Sequence, residues 1–94
     1  MIERSLRIGN QLGLHARAAA QLVHTASRFP CRVLMIVDGD EVNAKSILGL
    51  LALGLEPDRE VLMRCDGDRE ADAMAALENL FAAGFGEGAV RESV

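Results

Sequence analysis

The 94-residue chain has no tryptophan, no tyrosine and only three phenylalanines, although half of its residues are hydrophobic. Its core must therefore be aliphatic and alanine-rich. Basic residues are also scarce: 10 Lys and Arg stand against 14 Asp and Glu, a net charge of −4, and Lys45 is the single lysine. Without a basic patch interleaved with aromatics, that balance argues against nucleic acid as a partner. The longest apolar run, residues 47–55, carries two glycines. It falls far short of the ~20 residues a spanning helix needs, so no membrane insertion is expected. A strand-like pattern begins almost at Met1, without the charged leader and apolar run of a signal peptide, which predicts a cytoplasmic protein. Cys31 and Cys65 form no CxxC pair and are expected as buried free thiols. Together with His15 and His24 they match no zinc spacing, so neither a metal nor a cofactor is expected.

A chain of this length makes one domain. Ile2, Leu6 and Ile8 alternate with polar neighbours as in a half-buried strand, and residues 9–13 form a loop. From Ala16 onward, Ala19, Leu22, Val23, Ala26 and Phe29 recur at helical spacing, with Pro30 as the stop. Residues 33–37 read as a strand, and Asp38-Gly39 turns the chain into a short partner strand around Val42. Ser46 precedes a short apolar helix, Ile47–Leu53, that Gly54 ends. Val61, Met63 and Cys65 alternate as a further strand, broken by Asp66-Gly67-Asp68. A last helix carries Met74, Leu77, Leu80 and Phe81 on one face and ends at Gly84. The stretch 84–94 has no period; residues 1–86 are expected as the domain and 87–94 as a frayed tail. The order β-α-β-β-α-β-α predicts an α+β two-layer sandwich, an antiparallel sheet covered by helices on one face.

The chemistry centres on "GLHARAAA", residues 13–20. Gly13 permits a sharp turn, and a helix beginning near Ala16 puts His15 at its N-cap. The first amides of a helix have no partner within it and lie at the positive end of the dipole, a ready anion site. The same dipole favours the neutral imidazole, whose free lone pair can act as a nucleophile. Arg17 adds a forked guanidinium suited to phosphate oxygens. His15 and Arg17 together suit a phosphoryl group carried on histidine. His-x-Arg alone is common by chance, so the rest of the chain decides.

"GLHARAAA" followed by "NAKSILGLLALG", residues 43–54, in a chain of this order and length resembles HPr, the histidine-containing phosphocarrier family of the bacterial phosphotransferase system. The resemblance spans about residues 1–86. It implies an open-faced two-layer sandwich: a four-stranded antiparallel sheet in the order 1-4-2-3 with three helices on one face. It implies that His15 takes a phosphoryl group on Nδ1 from phosphorylated enzyme I, itself charged by phosphoenolpyruvate, and passes it to a histidine of an enzyme IIA. Arg17 would assist, and the protein would be a recycled carrier, expected as a monomer, rather than a free-standing enzyme. Ser46 matches the serine that an HPr kinase/phosphorylase modifies in many bacteria. Ala18 stands where family members commonly have proline; alanine, the best helix former, should preserve the site geometry. The alternative is a regulatory adaptor, of a nitrogen-type phosphotransferase system or of carbon catabolite control.

Ser46 is a good N-cap for its helix whatever else it does, so capping and regulation both remain open at that residue. Lys45 reads as a solvated charge. Ile47, Leu48 and Leu51 cannot all face inward on a helix of two turns, so apolar surface should stay exposed, as at docking sites. Leu48 and Leu51 are the expected partner contacts, since the family docks this helix on enzyme I, while Ile47 and Leu50 also suit packing. Ala20 and His24 complete the candidate partner surface. His24, nine residues beyond His15, otherwise reads as a solvated helix face.

Overall fold

Alternation decides which way each strand faces. In the computed structural model, which describes residues 1–86, Val33, Met35 and Val37 are buried, whereas Leu34 and Ile36 are half-buried on the opposite face. Val61, Met63 and Cys65 repeat the pattern. The elements are β1 (Ile2–Arg7), α1 (Ala16–Ser27), β2 (Arg32–Val37), β3 (Asp40–Asn43), α2 (Ile47–Leu53), β4 (Glu60–Asp66) and α3 (Glu70–Ala82), then a short 3-10 turn at Gly84–Gly86. This is the predicted order. The frayed tail expected over 87–94 lies outside the described residues.

The four strands pair antiparallel in the order β1-β4-β2-β3, as the resemblance implied. Register places Cys65 opposite both Ile2 and Val33, and Met63 opposite Met35, so inward side chains of three strands stack in rows. A two-residue turn at Asp38 and Gly39, both at positive φ, joins β2 to β3. That conformation matches the strand twist and favours Asp-Gly. On the outer face, Arg64 reaches Glu3 on β1 at 2.6 Å and Glu41 on β3 at 3.2 Å. Such partly exposed pairs contribute little individually.

Helix α1 buries Ala18, Ala19, Leu22, Thr25 and Ala26. The small alanines let its backbone approach the core, where Ile8, Met35 and Met63 from the sheet side and Leu22, Leu50 and Leu77 from the three helices are all fully buried. Each such large side chain contributes ~1.5–3 kcal/mol by leaving water. Two boundaries differ from the sequence pattern. Phe29 lies beyond α1, which is capped at Arg28, because the residue before proline is disfavoured in helical geometry. It is buried all the same, with the guanidinium groups of Arg28 and Arg69 over its ring, 5.4 and 5.1 Å from the centroid. The start of the aperiodic stretch is also structured: Phe85 is buried against Phe81, with ring centroids 4.8 Å apart. An isolated aromatic outside any period can still be a core residue.

Cys31 and Cys65 are buried free thiols that interact with each other. Burial, reinforced by Cys31 and the Glu70 carboxylate, pushes the Cys65 thiol up to about 11 from an ordinary 9.0. An acid whose folded pKa is raised holds its proton longer in the native state, so native stability must fall as pH rises through that interval. Thermal melts between pH 9 and 11 should show a steeper loss for wild type than for Cys65→Val. Parallel profiles would mean that Cys65 does not contribute to alkaline unfolding.

Candidate functional site

His15 is the N-cap of α1, with extended backbone (φ −87°, ψ −177°), and its ring Nδ1 accepts the Arg17 amide at 3.3 Å. The first helical bond follows, Ala19 N–H to the His15 carbonyl at 2.8 Å. An imidazole whose Nδ1 accepts a hydrogen bond carries its neutral-form proton on Nε2. The Nδ1 lone pair therefore points at the helix terminus. The first turn of α1 contains no acidic residue. His15 is half-buried, whereas Arg17 is exposed.

The loop before it is braced from three sides. The Leu14 amide donates to the Leu55 carbonyl at 3.0 Å, the His15 amide to Gly13 O at 3.0 Å, and Asn10 Nδ2 to the same Gly13 oxygen at 2.7 Å. Gly13 has φ +72°, and a Cβ there would lie 2.4 Å from Leu55 O. Both the conformation and the contact require glycine. Leu12, on this loop, is 70% exposed.

Helices α1 and α2 run antiparallel. Lys45, just before α2, reaches past the end of α1, its Nζ donating to the Phe29 and Cys31 carbonyls at 2.8 Å each. Leu55, just after α2, holds Leu14 at the start of α1. Lys45 is thus not the solvated charge its isolation suggested. It pairs two carbonyls where the chain leaves α1 for β2, which only the fold brings within its reach. Ser46 caps α2, its Oγ accepting the Gly49 amide at 3.2 Å. Ser46 and Lys45 thus lie at the end of the helix pair where α1 stops, and His15 at the end where α1 begins.

The candidate partner residues divide by burial. Leu48 is 77% and Leu51 36% exposed, Leu50 is fully buried, and Ile47 is packed in part against the core. On α1, Arg17, Ala20 and His24 are exposed at spacings of three and four, a single solvent-facing stripe. Sequence reasoning missed Asn10, Leu12 and the Lys45 contacts. The Asn-x-x-Gly turn was the one available signal for Asn10. Among the described residues, no group of three or more His, Cys, Asp or Glu is arranged to hold a metal ion. Within the same residues, no helix is long and apolar enough to cross a membrane.

Fold and site together define an open-faced antiparallel sandwich with a histidine at the N-cap of its first helix, the architecture of a small phosphocarrier. A family model described as "PTS HPr component phosphorylation site" matches residues 2–83. The phosphocarrier protein HPr of Xylella fastidiosa (strain Temecula1) is 45% identical over 87 residues, covering 93% of this chain and 98% of that protein. That of Neisseria meningitidis (strain Z2491) is 42% identical over 88 residues, with 94% and 99% covered. The crystal structure of HPr-C-His from Thermoanaerobacter tengcongensis superposes with a TM-score of 0.89 at 42% identity, covering 93% of this chain and 98% of that one. The chain belongs to the HPr family of phosphocarrier proteins of the bacterial phosphotransferase system.

Gly13→Ala should destabilise the protein by ~1–3 kcal/mol, since strained backbone and a clash with backbone oxygen coincide there. Urea unfolding measures this. A variant as stable as wild type would show that the loop can leave Leu55 at no cost.

Proposed function

We propose that His15 accepts a phosphoryl group on Nδ1 from phosphorylated enzyme I, charged by phosphoenolpyruvate, and delivers it to a histidine of an enzyme IIA. The supporting observation is the Nδ1 lone pair resting on the Arg17 amide, at the start of a helix whose first turn has no acidic residue. In the transfer, the Nδ1 lone pair forms the new N–P bond while the bond to the donor imidazole breaks. The departing nitrogen keeps that electron pair. The Arg17 N–H released by Nδ1 then has a phosphoryl oxygen to bond, and the guanidinium offers a second, forked contact. Preorganised donors of this kind stabilise developing charge without reorganisation. Delivery to enzyme IIA is the same displacement in reverse.

Leu48 and Leu51 on α2, with Ile47 at their edge, Ala20 and His24 on α1 and Leu12 on the loop, form the surface that partners cover. Their exposure supports this, because large apolar side chains left in water suit docking.

Incubation with phosphoenolpyruvate and enzyme I tests the carrier role directly. His15→Ala should fold normally and take up no label; label that persists assigns the acceptor elsewhere. Arg17→Ala should transfer slowly, with the loss on the order of the 10²–10³ seen for removing one preorganised donor. Arg17→Lys should recover only part, because a point charge lacks the planar fork. A wild-type rate for Arg17→Ala would make Arg17 a solvated charge.

Regulatory phosphorylation of Ser46 by an HPr kinase/phosphorylase forms the second part of the proposal. A phosphate there would meet unpaired amides at the positive end of α2, which stabilises an exposed helix by ~0.3–1 kcal/mol. At the N-cap of α2 rather than of α1, it would act through the surface it adjoins, Leu48 and Leu51, rather than on the reacting atoms. Burying that surface would require desolvating a dianion, at a greater cost than the cap contributes. Ser46→Asp should therefore melt no lower than wild type while accepting phosphate more slowly, through weaker binding to enzyme I. Calorimetry and a titration of enzyme I measure the two effects. Joint loss of stability and transfer would leave Ser46 a structural cap.

A further inference from the structure

Asn10 and Thr25 are the buried polar residues of the described chain, and Asn10 is 5% exposed between exposed neighbours. Burying a side-chain amide is costly unless its polar atoms are bonded, so its orientation is specified by what it bonds. Its Nδ2 donates to Gly13 O at 2.7 Å, while its own carbonyl accepts the Gly13 amide at 3.4 Å. Asn10 therefore grips Gly13 through both side chain and backbone. The turn that follows α3 covers it: a Cβ at Gly84 would lie 3.9 Å from that of Asn10.

The peptide unit between Gly13 and Leu14 is consequently held at both ends. Its oxygen takes the Asn10 amide, and its N–H donates to Leu55 O. The His15 N–H hangs from that same oxygen at 3.0 Å. A plane held at oxygen and nitrogen cannot rotate about its flanking bonds. It thereby sets the direction in which the His15 backbone enters α1 and in which Nδ1 meets the Arg17 amide.

We infer that Asn10 is a positioning residue for the phosphoacceptor: through Gly13 O it holds the His15 backbone where Nδ1 faces the terminus of α1. This rests on the proposed role of His15, which Asn10 serves without touching the reacting atoms. Asn10→Ala removes the donor, and Asn10→Asp keeps the shape while turning a donor into an acceptor facing a carbonyl oxygen.

With enzyme I as catalyst and each variant as phosphoryl acceptor, kcat should fall about ten- to a hundredfold, the size of effect that small misplacements of reacting groups produce. KM should change less than kcat, because Leu48, Leu51, Ala20 and His24 lie outside the turn that Asn10 braces and only Leu12 lies on it. Nitrogen NMR of the His15 ring supplies a readout independent of transfer: the Nε2-protonated pattern of wild type should give way to averaged tautomers in both variants. Unchanged kcat and ring signals in folded Asn10→Ala overturn the inference, as does a raised KM at unchanged kcat. In the unmodified protein, a scalar coupling across the hydrogen bond from Asn10 Nδ2 to the Gly13 carbonyl carbon should be measurable, and its absence overturns the inference whichever variants fold. If wild type takes no label while the coupling and ring signals are as expected, the carrier role fails and the positioning geometry stands.

Discussion

The hydrogen bond from the Leu14 amide to the Leu55 carbonyl joins the start of α1 to the end of α2, and the geometry of His15 depends on it. It forms because the sheet delivers both strands of chain to the same place. Pairing of β1 with β4 continues past the sheet edge, where Ile8 N–H donates to Arg59 O at 2.9 Å and Asp58 N–H to Ile8 O at 2.7 Å. That brings the turn after α2 beneath residues 9–14. Leu55 is then close enough to Gly13 that no side chain fits between them. The histidine is thus oriented by strand pairing that the residues around it do not reveal.

The N-caps of α1 and α2, His15 and Ser46, have different surroundings. At the His15 end α1 begins from a loop braced by Asn10 and Leu55, and the Arg17 amide rests on the His15 ring. At the other end, Ser46 caps a helix of seven residues whose preceding lysine is committed to the carbonyls of Phe29 and Cys31. The lysine ties the cap of α2 to the exit of α1, so the two helices are fastened to each other at both ends. Such bracing suits a carrier, whose surface must present the same geometry to a phosphoryl donor and to an acceptor.

Most of the architecture was legible in the amino-acid pattern. Apolar residues at period two in residues 33–37 and at 61, 63 and 65 marked strands, because a pleated chain turns alternate side chains to one face. Gly54, which sits in the left-handed region and ends α2, was legible for its backbone. His15 was placed at a helix start by its glycine and the alanines after it, and Ser46 by its side chain. The strand order, in contrast, came from resemblance, since four short strands of similar pattern permit several pairings.

What the sequence by itself determined were properties carried by single residues and their near neighbours: turn, cap, helix, strand and the chemical capacity of His15 with Arg17. Tertiary structure alone decided the partners separated along the chain. It committed Lys45 to two carbonyls 14 and 16 residues away, buried Phe85 outside any period, and set Asn10 beneath the final turn to hold Gly13. The physical reason is range. Backbone propensity and capping act over about one helical turn, whereas burial and long-range hydrogen bonds depend on which segments the sheet brings into contact.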